Sequence, residues 1–316
     1  MPLQILEGEP PSPPAWGTLP LDIYLLSEWD TPHSSYLADS SQTPVPESPS
    51  DRRNRLIRQF LALGSAGRQP YQSQTETPPT PTDTQITEIL RPARPESLRP
   101  FAEYTGSLDE GLYLRLCYDA DKEEAHESLW SQNLDAAFAG PDGIIFDDKE
   151  LFGGEGINLV RFLETFPERV TNVGSVAHVE HRERVLRDIL RRIHEDGGNT
   201  EDAGEDEYSE EVKAALAEMR TKDPLLRYGE YHAACVVTHM FIEDEKALDG
   251  NGLLHVFLDD TGNVVRQWRT DDEGGDDDFD GMWKEGNWKE DFMSGKGELG
   301  AAYREGGARG RPMSSR

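Results

Sequence analysis

The sequence predicts a single mixed-sheet domain of the α/β or α+β class, with helices packed on the sheet and a disordered N-terminal arm preceding it. Of the 21 prolines, 17 lie at or before Pro100, in a stretch also rich in Ser, Thr and Gln, so this part offers little apolar surface to bury. From Phe101 onward, apolar runs alternate with glycines and acids, as in a folded domain. We therefore divide the chain into an arm at 1–99, a domain at 100–272 and a flexible, acidic then Gly/Arg-rich tail at 273–316.

The domain is predicted to begin with a strand–helix–strand unit. Leu112–Tyr118 carries leucines at alternate positions, and Lys122–Phe138 places apolar residues at helical spacing. A Gly-Pro-Asp-Gly turn then leads into the apolar run Ile144–Phe146. Because such a unit returns the chain to the same edge of the sheet, we expect the two strands to be parallel neighbours.

The rest of the domain is predicted to contain helices, a central strand and a hairpin. Ile157–Phe166 and His178–Glu195 show helical apolar spacing, and the acidic stretch 199–207 is expected to be a solvated loop. His232–Ile242 is apolar enough for a central strand, and a turn containing Asp, Thr, Gly and Asn predicts a hairpin after it. The two strands of that hairpin are Leu253–Leu258 and Val264–Trp268.

Two short apolar motifs interrupt the arm. The first, at 19–26, alternates leucine and isoleucine with other residues, as a strand does. The second, at 50–63, is predicted to be a basic amphipathic helix that starts at Ser50 or Asp51 and stops at Gly64. This helix either binds a protein partner or folds back on its own domain, and the sequence leaves both open. Its candidate contact residues are Leu56, Ile57, Phe60, Arg52 and Arg55.

The charge balance narrows the classes of partner. With 61 acidic against 32 basic residues, the formal net charge is −29, which repels nucleic acid and attracts basic proteins or divalent cations. No stretch has the length and apolar composition of a signal peptide or a membrane span. Cys117 and Cys235 each lie in an apolar run, which favours buried thiols and a cytoplasmic or nuclear location.

Acidic residues follow the predicted strands repeatedly. Asp119 and Asp121 follow the first strand, and Asp147 and Asp148 follow the second. The acids at 243–245 follow the long central strand. If these strands are parallel neighbours, their carboxylates gather at one sheet edge, where oxygen ligands could hold Mg²⁺ or Ca²⁺. These four aspartates are the candidate metal ligands, although acids before helices also serve as ordinary N-caps.

The remaining candidate metal-binding and nucleophilic residues lack the spacing or the setting that such chemistry requires. His178, Glu180 and His181 have neither the H-E-x-x-H nor the H-x-x-E-H pattern of zinc enzymes. His232 and His239 are expected on opposite faces of one strand. Neither cysteine has the electropositive, exposed setting of a nucleophile.

These observations favour a protein that is not an enzyme: an interaction or regulatory protein whose arm presents short motifs to a protein partner. The first alternative is a divalent-cation-dependent hydrolase or phosphotransferase that uses the four aspartates at the strand ends. The second is an acidic nuclear regulatory protein. We also expect that residues 1–99 can be removed without unfolding the domain.

Overall fold

The computed structural model confirms the predicted class, because helices pack on both faces of a single mixed sheet. The structure describes residues 4–5, 12–31, 47–72, 80–102, 112–129, 144–153, 159–170, 176–195, 209, 211, 214–215, 218–219, 222–269 and 288–304. The described strands are β1 (Gln4–Ile5), β2 (Leu112–Arg115), β3 (Ile144–Phe146), β4 (Thr238–Glu243), β5 (Leu254–Leu258), β6 (Val264–Arg269) and β7 (Glu298–Leu299).

The described strands form one sheet in the order β1-β3-β2-β4-β5-β6-β7. The strands β3, β2 and β4 are parallel neighbours, with Leu112 opposite Ile144 on one side and Met240 on the other. The parallel pair predicted from the strand–helix–strand unit is therefore confirmed. The hairpin is also confirmed, because β5 and β6 are antiparallel and pair His255 with Trp268.

The helices account for most of the remaining described chain. They are α1 (Pro20–Glu28), α2 (Pro49–Ala62), α3 (Gly64–Gln72), α4 (the consecutive helical segments Asp83–Gln85, Ile86–Leu90 and Arg91–Ala93), α5 (Glu123–Leu129), α6 (Lys149–Phe152), α7 (Leu159–Thr165), α8 (Val176–Glu195), α9 (Pro224–Arg227), α10 (Gly229–Cys235) and α11 (Trp288–Met293). Among them, none combines the length and apolar composition needed to cross a lipid bilayer.

Each face of the sheet has its own apolar core. One face carries Tyr113, Phe241 and Phe257 and is covered by α8, α10 and α11. The other carries Leu114, Met240 and the remaining alternate side chains of the central strands, and it is covered by phenylalanines of α6, α7 and the following turn. Since both faces are covered, every residue of β2, β4 and β5 is buried, as expected for central strands.

The described parts of the predicted arm pack on the domain: β1 pairs with β3 in the sheet, and most of the other described residues are helical. Large parts of it, including 32–46 and 73–79, lie outside the described residues, and there disorder stays a prediction. The motif at 19–26 forms α1 rather than a strand, because Leu21 and Leu25, four positions apart, both face a small core between α1, α2 and α4. The division of the chain at residue 99 stays a prediction, and the described helices before it pack on the domain.

Two buried ion pairs hold these helices to the domain. Arg99 donates to both carboxylate oxygens of Asp22 in α1, at 3.2 and 2.8 Å. Arg94 makes a second two-point pair with Glu168, at 3.2 and 2.6 Å. Because all four side chains are almost fully buried, the pairs fix the position of α1 and of the segment after α4.

Two further predictions are corrected. The run His232–Ile242 is divided between helix and strand: α10 ends at Cys235 and β4 begins at Thr238. The tail is folded at 288–304, where α11 buries Trp288 and Phe292 against the sheet. The acidic stretch 199–207 and the remaining tail at 273–287 and 305–316 lie outside the described residues.

Candidate functional site

A large groove opens at the edge of the sheet where the parallel strands end. Its volume is about 1220 Å³, and its walls come from the residues after β2 and β4, from α6, from the end of β6 and from the turn before β7. We call it the edge groove. This is the edge at which open α/β sheets place their ligands. Its lining includes Cys117, Asp119, Lys149, Asp244, Glu245, Trp268, Arg269, Gly297 and Glu298.

The edge groove has more acidic than basic side chains. Four acids and three bases line it, and Arg269 is engaged by Asp244 at 3.0 and 2.6 Å. Asp119, Glu245 and Glu298 are exposed carboxylates. The chain leaves the groove at Arg269 and continues into the stretch 270–287, which contains eight acids and one lysine. The described lining therefore has a small excess of negative charge, and the sequence that follows it is acidic.

Trp268 supplies an aromatic wall of the edge groove. Its ring packs on Phe257, with ring centroids 4.4 Å apart, and lies edge-on to His255 at 5.5 Å. Gly297 passes directly over the ring, since a Cβ there would lie 2.6 Å from the Cε3 atom of Trp268. The buried indole N–H finds no acceptor among the described residues. An unsatisfied buried donor of this kind costs about 1–3 kcal/mol.

A buried polar network lies at the same sheet edge. Glu243, at the end of β4, is fully buried and accepts a hydrogen bond from the Tyr113 hydroxyl. Its two oxygens lie 2.8 and 2.9 Å from Nδ1 of His126. Arg115 contacts the same carboxylate at 3.5 Å and reaches Glu123 at 2.7 Å. The network binds α5 to the sheet, and burial together with the charge of Glu243 raises the pKa of Tyr113.

The structure gives the four predicted metal ligands different roles. Asp148 caps α6 by accepting hydrogen bonds from two backbone N–H groups, at 2.9 and 3.0 Å. Asp147 lies 3.6 Å from Arg115 and, after burial itself, is the main cause of the raised pKa of Tyr118. Asp119 lines the groove, and Asp121 is exposed in the turn before α5. Within the described residues, no three His, Cys, Asp or Glu side chains converge as metal ligands do.

The predicted partner-binding residues of the second motif lie in α2. Leu56, Ile57 and Phe60 are buried in the small core beside α1 and α4. Arg52 donates to the carbonyl of Trp29, and Arg55 pairs with Glu47 at 2.8 Å. Of the two alternatives, these contacts favour folding back on the domain. Ser48 caps the helix, two residues before the predicted start.

The expectations for the histidines and cysteines are met only in part. His232 lies in α10, whereas His239 and His255 face each other across β4 and β5 with ring nitrogens 3.0 Å apart. Both cysteines are buried thiols, as predicted, although Cys235 is helical. Burial raises the pKa of the Cys117 thiol, so its groove position does not make it a ready nucleophile.

Several residues that line the edge groove are not among the site candidates that the sequence suggests. Glu298 and Gly297 lie in the part of the chain predicted as a flexible tail, and Lys149 was not distinguished from other exposed lysines. Trp268 was recognised only as a strand residue. The signal for its role was its place in the sheet. Trp268 lies near the end of β6, and β6 ends at the same edge of the sheet as the parallel strands β2, β3 and β4.

No protein-family model, curated protein sequence or solved structure matches the chain.

Proposed function

We propose that this is a non-enzymatic interaction protein whose edge groove binds a basic segment of a partner protein. The observation that carries the proposal is an open groove of about 1220 Å³ with exposed carboxylates on its rim. The cytoplasmic or nuclear location belongs to the same proposal and is supported by the two buried thiols.

The size and lining of the groove favour a polypeptide over a small metabolite. Small-molecule pockets occupy roughly 300–1,000 Å³ and enclose most of their ligand. The edge groove is larger and spans the ends of several strands.

The charges favour a basic partner. Asp119, Glu245 and Glu298 are exposed around the groove, and the acidic stretch 270–287 begins directly beyond it. Opposite charge speeds encounter and aligns a segment, and wrong partners are rejected by like-charge repulsion. A segment with two or three arginines or lysines therefore fits this site better than an acidic or neutral one.

The proposal is tested with the full chain and a fluorescent Arg/Lys-rich probe peptide, with an acidic peptide of equal length for comparison. Binding is followed by fluorescence anisotropy at about 0.1 M salt, where exposed charges are partly screened. Glu245→Lys with Glu298→Lys should weaken binding of the basic probe about tenfold or more, because each change replaces attraction by repulsion.

The matched control is Glu88→Lys with Glu96→Lys, which makes the same change in net charge at exposed positions outside the groove lining. An equal loss of affinity in this control would show that overall charge determines binding. It would refute the groove as the binding site.

A further inference from the structure

We propose that His255 makes the last described segment, 288–304, an acid-sensitive latch: below a pH of about 6.5 the segment leaves the sheet more often and the edge groove loses one wall. Gly297 and Glu298 belong both to this segment and to the groove lining. The latch itself needs no partner, whereas its effect on binding rests on the proposed function.

His255 is fully buried in a cluster of aromatic rings. The centroid of its ring lies 4.3 Å from that of Phe241 and 4.1 Å from that of Phe257. Its Nε2 atom lies 3.0 Å from Nδ1 of His239, and its own Nδ1 atom finds no partner among the described residues. A protonated ring donates from both nitrogens, so the described residues would leave one charged donor buried without an acceptor.

The neighbouring charges also oppose a proton on this ring. Burial lowers the pKa of His255 well below its usual value, and His239 and Lys296 lower it further. The Glu243 carboxylate lies on the same face of β4 as His239, but Tyr113, His126 and Arg115 engage it. Asp291 pairs with Lys296 at 3.5 Å. The other titratable side chains packed on this face are Tyr113, Tyr231, His232, Cys235, Arg266 and Tyr303.

The segment 288–304 is the cover that separates His255 from water. Gly297 passes over Trp268, whose ring lies edge-on to His255 at 5.5 Å, and Trp288 packs 5.4 Å from Phe257. β7 contributes only two residues and is the last strand in the described sheet order. A short edge strand opens at a lower free energy than central strands do. Opening also carries Lys296 away from the ring, which removes a repulsion that a proton on His255 would create.

The pH dependence follows from proton linkage. In the open form His255 regains an ordinary pKa of about 6.5, whereas the closed form keeps the ring neutral. Falling pH therefore favours the open form, because only that form takes up the proton. The open population should be about tenfold larger at pH 5.5 than at pH 7.5.

The test is amide hydrogen exchange of the full chain at these two pH values, read by mass spectrometry and corrected for the intrinsic exchange rate. Protection of the amides in 288–299 should be about tenfold lower at pH 5.5 in the unaltered protein. His255→Gln and His255→Phe should each reduce this difference to less than about twofold. Gln keeps a polar group opposite His239 and Phe keeps the ring packing, so one variant suffices if the other does not fold.

The matched control is His181→Gln, which removes an exposed histidine of α8 and should retain the tenfold difference. Amides of α1 serve as an internal control, because their exchange does not require His255 to become exposed, and their protection should change less than about twofold.

An equal loss of protection in α1 and in 288–299 would show unfolding of the whole domain and would overturn the latch. A tenfold difference that persists in both His255 variants would overturn it as well. Because the exchange experiment uses no partner, its outcome is separate from that of the peptide binding experiment. Failure of the basic probe to bind would refute the proposed function and not the latch.

Discussion

Asp22→Ala should strongly destabilise the protein, although the sequence predicts that this residue belongs to a dispensable arm. The carboxylate receives two hydrogen bonds from Arg99 and a third, at 3.0 Å, from the backbone N–H of Gly17. Arg99 is fully buried, and its remaining donors go to the carbonyls of Pro14 and Ala15. Removal of the carboxylate leaves a buried guanidinium without its counter-charge.

The expected cost follows from that burial. Breaking a buried ion pair by removing one partner costs about 3–5 kcal/mol, which is a large part of the 5–15 kcal/mol that typically stabilises a protein. The guanidinium lies 4.0 Å from the ring centroid of Trp16, and this contact compensates only a fraction of the lost charge interaction.

The assay is urea unfolding of the full chain, followed by far-UV circular dichroism and tryptophan fluorescence. Glu164→Ala is the matched control, because it removes a carboxylate that pairs at 2.7 Å with Arg58, whose side chain is 67% exposed. That pair should contribute at most about 1 kcal/mol. Asp22→Leu combined with Arg99→Met should recover much of the loss, since no unpaired charge then stays buried.

The reasoning would be refuted if Asp22→Ala lowered the free energy of unfolding by less than about 1 kcal/mol. The buried pair between Asp22 and Arg99 would then contribute little to the stability of the domain.

Two other predictions concern the residues around Trp268. Burial, with smaller effects of His239 and Lys296, lowers the pKa of His255 well below its usual value. Unfolding then takes up a proton below the unfolded pKa of about 6.5, so the free energy of unfolding should fall with falling pH by up to about 1.4 kcal/mol per unit. His255→Gln should show a shallower decline between pH 6.5 and 5.5, and an unchanged slope would contradict this. Gly297→Ala should cost about 2 kcal/mol or more in urea unfolding, because φ is +93° and the new Cβ would meet Trp268. The control is Gly250→Ala, because Gly250 has a φ of +81° and nothing lies within 4 Å of its Cβ position. This variant should lose only the stability that a positive φ costs an alanine. Equal losses of unfolding free energy in the two variants would show that the contact with Trp268 adds nothing.

Sequence reasoning succeeded where the signal is local. The hairpin of β5 and β6 follows from a turn flanked by apolar runs, and α8 follows from the helical spacing of its apolar stripe. The parallel pairing of β2 and β3 follows from the strand–helix–strand order. The prediction of one strand at His232–Ile242 is wrong, because a short apolar run has the same composition in a buried helix and in a buried strand.

The candidate site was less accessible from sequence. The clustering of strand-end acids at one sheet edge was foreseen in outline, and Asp119 does line the groove. The partners that give the other acids their roles were not foreseen. Asp148 is a helix cap and Asp147 neighbours Arg115, and neither role can be distinguished from metal binding by composition alone.

The sequence by itself determined the class of the fold, the parallel unit, the hairpin and the excess of negative charge, because each depends on neighbouring residues or on sums over the chain. Only the tertiary structure decided that α1 belongs to the folded body and that Trp268, Glu245 and Glu298 share a groove. The reason is physical: Asp22 and Arg99 are 77 positions apart, and such pairings are set by the packing of whole elements rather than by local pattern.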